Sequence, residues 1–123
     1  MDFCGVTSLE TAYFYQGVKT IEDSAFYGCT SLAHLKLPSS LESIGASSFA
    51  SCNAITEVNM TEKLKSVGEK AFAFCSALRK VYISHSVENL AYNAFLECDT
   101  IEFSISPSNM NYKLNEKGKP VRR

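Results

Sequence analysis

Cys29, Cys52, Cys75 and Cys98 stand 23 residues apart, and Phe26, Phe49, Phe72 and Phe95 keep the same step. A fixed period of this length marks a stacked array, because one unit is too small to bury its own apolar face and each turn must cover the next. Three residues after each cysteine comes Leu32, Ile55, Leu78 or Ile101. Leu35 and Leu37, then Val58 and Met60, alternate as in a half-buried strand. Leu41 and Ile44, Leu64 and Val67, and Val87 and Leu90 open the following stretch. One step back, Phe3, Val6, Leu9, Ala12, Phe14, Val18 and Ile21 form a degenerate first repeat. The reading is an α/β solenoid, coiled right-handed, with a parallel β-sheet on its concave face and short helical or irregular turns on its convex face. Five strands pairing in register at roughly 4.8 Å make a sheet roughly 19 Å wide. The segment Asp23–Gly28 reads as a helical turn that plants Phe26 in the core. Residues 1–106 are the array of about five repeats, and residues 107–123 a C-terminal cap or tail.

The columns decide how the cysteines are read. A small apolar residue with a weak S–H donor suits a coil interior, where it serves a neighbouring carbonyl. Thiols on adjacent turns have parallel Cβ vectors, which suit disulfide geometry poorly, so free thiols are expected. Nucleophilic catalysis needs a reactive, partly exposed thiol, and the four periodic ones are expected to be buried. His34 and His85 lie in different columns without ligands at metal spacing, and no phosphate loop is present; Gly45 and Gly68 are turn glycines. No enzyme, metal or cofactor is therefore expected. The sequon Asn59-Met60-Thr61 is read as chance.

Bulk properties narrow the partners. A 46% hydrophobic content suits a packed core, and a net charge of −1 argues against nucleic acid as the main partner. No apolar run is long enough to span a bilayer. The first residues, Met1-Asp2-Phe3-Cys4-Gly5, lack signal-peptide character, so either the protein is cytosolic or a signal lies outside this chain.

Strand residues pointing away from the core supply the candidate binding face. One column is Thr11, His34, Glu57, Lys80 and Glu102; the next is Tyr13, Lys36, Asn59, Tyr82 and Ser104; Glu10, Ala33, Thr56 and Arg79 form a third. Tyrosine and arginine are the types that anchor protein interfaces. Tyr13, His34, Lys36, Glu57, Asn59, Arg79, Lys80 and Tyr82 are the candidate contacts. Tyr112, Leu114 and Val121 suit a short hairpin covering the last turn, as an array needs to stay soluble. No such cap is visible at the other end, where an open strand edge implies a longer array or a homo-oligomer joined there.

The stretch Leu32-Ala-His-Leu-Lys-Leu-Pro-Ser-Ser-Leu-Glu-Ser-Ile-Gly45, with Ser48-Phe49-Ala-Ser-Cys52, resembles the BspA-like (Treponema-type) leucine-rich repeats. Val81–Leu90 and Asn93–Cys98 match the same pattern, and the resemblance covers residues 3 to about 106. Departures are Pro38, with Thr61, Ser84 and Ser106 in its column, and a last strand, Ile101–Ile105, one residue short of register. The resemblance implies a leucine-rich-repeat coil from a host-associated microbe, surface-exposed or secreted, adhering to matrix proteins or other microbes, and it carries no catalytic residue. The expected function is a non-enzymatic, adhesin-like protein-binding module. The alternatives are a structural spacer within a longer repeat protein, or a carbohydrate-binding surface built on Tyr13 and Tyr82.

Overall fold

A computed structural model describes residues 2–123. Its strands are β1 (Thr11–Tyr13), β2 (Thr20–Ile21), β3 (His34–Lys36), β4 (Ser43–Ile44), β5 (Glu57–Asn59), β6 (Ser66–Val67), β7 (Lys80–Ile83), β8 (Asn89–Leu90), β9 (Glu102–Ile105), β10 (Tyr112–Leu114) and β11 (Pro120–Arg122). The result is a parallel-strand β-solenoid. Each turn contributes a longer strand, whose residues alternate between solvent and core, and each but the last a two-residue strand further on. The short strands form a second parallel sheet, β2-β4-β6-β8, which the sequence reading treated only as an apolar pair.

No helix is present among the described residues, which corrects the expected α/β class and its helical turns. The reason lies in where the backbone donors go. The N–H groups of Ser24, Phe26 and Gly28 reach across to the carbonyls of Ala46, Ser48 and Ala50, at 2.9, 2.7 and 2.9 Å. Those of Ala25, Tyr27 and Cys29 close tight turns onto Glu22, Ser24 and Phe26, each at 3.2 Å. Every second donor thus serves the neighbouring turn, and none is left for a helical ladder. Left-handed residues make the bends, in columns that hold Ser24, Ser47 and Lys70, and Gly5, Gly28, Ser51, Phe74 and Glu97. Gly45 serves a different need. A Cβ there would stand 2.6 Å from the Asp23 backbone nitrogen, so it permits close stacking rather than a left-handed turn.

The longer strands do not make one continuous sheet. β1 pairs with β3, and β5-β7-β9 form a separate three-stranded sheet. The break falls in the turn that carries Pro38, which has no N–H to donate. Across it, Thr61 Oγ1 donates to the Pro38 carbonyl at 2.9 Å and ties the two turns by a side chain. The last strand is one residue short of the period, as its sequence indicates: Lys80 pairs with Glu102 and Ile83 with Ile105.

Aromatic rings run through the core as a ladder. Phe3, Phe26, Phe49, Phe72 and Phe95 stack successively at centroid distances of 5.3, 5.1, 5.2 and 5.5 Å, nearly parallel. Phe14 and Phe103 meet the ladder edge-on near its two ends. Small residues beside the rings, Ala25, Ser48, Ala71 and Ala94, are buried. Of these, Ser48 alone carries a hydroxyl, and its Oγ has no hydrogen-bond partner. Ser48→Ala should therefore raise the unfolding free energy by about 1–2 kcal/mol, the penalty of an unsatisfied buried polar group. Urea denaturation of the two proteins measures the difference.

The C-terminal residues turn back as an antiparallel hairpin, β10 against β11. Asn109, 23 residues after Ser86, is buried and joins this hairpin to the last turns. Its Nδ2 donates to the carbonyls of Ser84 and Val87, at 2.9 and 3.1 Å. Its Oδ1 accepts from the N–H groups of Asn111 and Tyr112, at 2.7 and 2.8 Å. Tyr112 Oη takes the Leu90 N–H at 2.8 Å, which satisfies the outer edge of β8.

Candidate binding face

Pairing of the longer strands places the side chains that the sequence reading singled out. Tyr13 stands opposite Lys36, and His34 opposite Thr11, on the β1–β3 pair. Glu57 is opposite Lys80 and Asn59 opposite Tyr82 on the three-stranded sheet. Tyr13, His34, Lys36, Glu57, Asn59, Arg79 and Lys80 are exposed, and Tyr82 is half-buried. The break between β3 and β5 divides this set into two groups. Glu57, Arg79 and Lys80 gather around a shallow depression of about 450 Å³, completed by Thr56, Thr100 and Glu102. Its neighbouring strands carry Glu57, Lys80 and Glu102 in register, so the charges alternate in sign.

The two tyrosines do not form a pair. Tyr13 lies on β1 and Tyr82 on β7, with β3 and β5 between them, a separation of roughly 14 Å at the usual strand spacing. A single sugar ring cannot lie against both, so a carbohydrate partner would have to be an oligosaccharide crossing β3 and β5.

Position suppresses chemistry at two of the periodic cysteines, Cys29 and Cys52. Cys29, Cys52, Cys75 and Cys98 are buried, while Cys4 is exposed. Each buried thiol donates to a phenylalanine carbonyl of the preceding turn: Phe3, Phe26, Phe49 and Phe72, at 3.0, 3.2, 3.2 and 3.1 Å. Burial pushes the Cys52 thiol up to about 12 and also raises Cys29. Such thiols hold their protons at neutral pH and are poor nucleophiles. His85 faces Glu62 at 3.0 Å on the surface, away from these sulfurs in sequence and column.

The repeat pattern matches the model of the BspA-type leucine-rich-repeat region in six copies over residues 2–116, a span that runs past β9 into the hairpin. The chain belongs to the BspA-type leucine-rich-repeat family. A search of curated proteins finds no match. Among solved structures, the chain is similar to the leucine-rich-repeat protein of T. pallidum, with 30% identity and a TM-score of 0.80 over 84% of this chain and 48% of that one. It is also similar to the pneumococcal vaccine antigen PcpA, with 27% identity and a TM-score of 0.78 over 86% of this chain and 26% of that one. A leucine-rich cell surface protein from Faecalibacterium prausnitzii, 24% identical with a TM-score of 0.64 over 80% of this chain and 33% of that one, shares the fold. The chain thus spans half or less of the length of these relatives. Repeat proteins of this family are in general non-enzymatic scaffolds for protein–protein interaction.

What the sequence reading missed lies at the C-terminal end. Phe103, Lys119 and Arg122 are brought together there, with Lys119 Nζ 5.7 Å above the Phe103 ring and the Arg122 guanidinium 4.8 Å above Tyr112. Lys119 and Arg122 sat in a tail outside the period, so the columns carried no signal for them.

Proposed function

We propose that the face formed by the longer strands is the binding surface of an adhesin-like module of a microbial surface or secreted protein, and that its partner is another protein. The observation that carries this reading is the exposure of Tyr13, His34, Lys36, Glu57, Asn59 and Lys80 on the longer strands, with exposed Arg79 just before β7. Unpaired charges of both signs around a shallow depression suit a complementary protein surface better than a sugar or a nucleic acid. A surface or secreted location is supported by the relatives described as a vaccine antigen and a cell surface protein. The test is capture on immobilised extracellular-matrix proteins. Arg79→Gln combined with Lys80→Gln should reduce capture at least about tenfold, with far-UV circular dichroism unchanged, because both side chains are exposed and no like-charge pair is created opposite Glu57 and Glu102. Unchanged capture would favour the spacer reading.

We further propose that the N-terminal end meets another apolar surface, either a preceding turn of a longer array or a second copy of the chain. The outer edge of β1 has no strand partner among the described residues, and Phe3 is 39% exposed. Phe3, Leu9, Phe14 and Val18 line an open groove there. Sedimentation velocity of the 123-residue chain should show concentration-dependent association. A monodisperse monomer with residues 2–15 protected from hydrogen exchange would count against it.

A further inference from the structure

One more step of 23 carries the phenylalanine column from Phe95 to Gly118, and the 22-residue step of the last turn carries it to Lys117, so no ring continues the column. The stack of rings therefore stops at Phe95, and the hairpin folds back instead of making another rung. Between the hairpin and the last turn a groove of about 680 Å³ remains. Half-buried Phe95 lines it together with Phe103, Leu90, Leu96 and Val121. Its only charged lining residues are Lys119 and Arg122. Arg122 donates to Asn89 Oδ1 at 3.0 Å, and Lys119 lies over an aromatic ring. Neither is neutralised by a carboxylate, since the one ion pair among the described residues is His85 with Glu62. The opposite end of the ladder differs in sign: the groove beside Phe3 has Asp2 as its only charged lining residue.

We propose that the C-terminal groove binds a small planar aromatic carboxylate, its ring stacked near Phe95 as the next rung and its carboxylate facing Lys119 and Arg122. The ladder shows the geometry that a ring would continue, parallel at 5.1–5.5 Å from its neighbour. That lies inside the range favoured by offset stacking, 4.5–7 Å as a rough guide. The volume falls within the range of small-ligand sites, about 300–1,000 Å³. The unpaired cations Lys119 and Arg122 at the rim of the groove select an anion over a neutral ring by direct charge attraction.

Titration of the full chain with 2-naphthoate, followed by ligand fluorescence and by NMR, tests this assignment. Expected are saturation at one site, shifts at Phe95 and Phe103, and about tenfold weaker binding both for naphthalene-2-carboxamide and for Lys119→Gln, the loss of one charge-assisted contact. Lys119 is exposed, so its replacement leaves the fold intact, which far-UV circular dichroism checks. Val121→Trp, which fills the groove from the hairpin side, should abolish binding. The proposal is overturned by equal affinity for the carboxamide, by shifts at Phe3 and Phe14 instead, or by binding that survives Val121→Trp. It is equally overturned if a short acidic peptide containing phenylalanine binds more tightly than naphthoate, because the groove would then be a peptide-docking site.

Discussion

Phe72→Ala is expected to lower the unfolding free energy by about 3–5 kcal/mol, the cost of truncating a fully buried aromatic side chain. Phe72 has no exposed surface, and its ring lies between those of Phe49 and Phe95, at 5.2 and 5.5 Å. The cavity cannot close easily, because every neighbouring turn is tied to the next by backbone hydrogen bonds. Phe72 N donates to Ala94 O at 2.8 Å and Phe49 N to Ala71 O at 2.8 Å. The solenoid therefore resists the collapse that would shrink the void, and the cost belongs near the top of the range. The end of the ladder supplies the control. Phe3 is 39% exposed, so Phe3→Ala removes less buried surface, leaves no closed cavity and should cost about half as much. Chemical denaturation of both variants checks the gradient; equal losses at the two positions would mean that the ladder is not the main source of stability.

The second large effect is expected at Asn109. Asn109→Ala should cost about 2–4 kcal/mol, since two donors and two acceptors of the backbone lose their partner at once, each hydrogen bond worth roughly 0.5–1 kcal/mol net. The carbonyls of Ser84 and Val87 and the N–H groups of Asn111 and Tyr112 are the groups concerned. Loss of the cap should be visible as early hydrogen exchange in β10, β11 and the outer edge of β8, where Tyr112 Oη binds Leu90. Asn109→Asp keeps the acceptor and loses the amide donor, so it should be at least as damaging at neutral pH, where its carboxylate would face the Ser84 and Val87 carbonyls. A variant that melts like the parent and keeps protection in the hairpin would show that the apolar contacts of Tyr112 suffice to hold it.

Both effects depend on the same repeat, and the repeat was legible from the beginning. The spacing of Phe26, Phe49, Phe72 and Phe95, and of Cys29, Cys52, Cys75 and Cys98, is enough to require stacked turns and to assign these side chains to the interior. The outward columns follow from the same register, and the pairing of Tyr13 with Lys36 and of Glu57 with Lys80 agrees with it. Even the short last strand is visible in the residue count between Lys80 and Glu102. Side-chain periodicity records which positions share an environment, and stacking turns that environment into columns.

Periodicity says nothing about which backbone donor meets which acceptor, and that is where the tertiary structure decided the outcome. Asp23–Gly28 is not a helical turn because Ser24, Phe26 and Gly28 find acceptors on the next turn, partners that a single repeat does not contain. The sheet of longer strands is interrupted between β3 and β5, so the candidate face comes in two groups, although its columns are unbroken in the sequence. Asn109 caps the array only because the chain reverses into a hairpin, and Lys119 meets Phe103 for the same reason. The sequence by itself determined the period, the core columns and the outward residues, since these follow from burial repeated at a fixed interval. Only the tertiary structure decided the turn conformation, the division of the face and the chemistry of the C-terminal groove, because each depends on groups distant in sequence meeting at hydrogen-bond or van der Waals range.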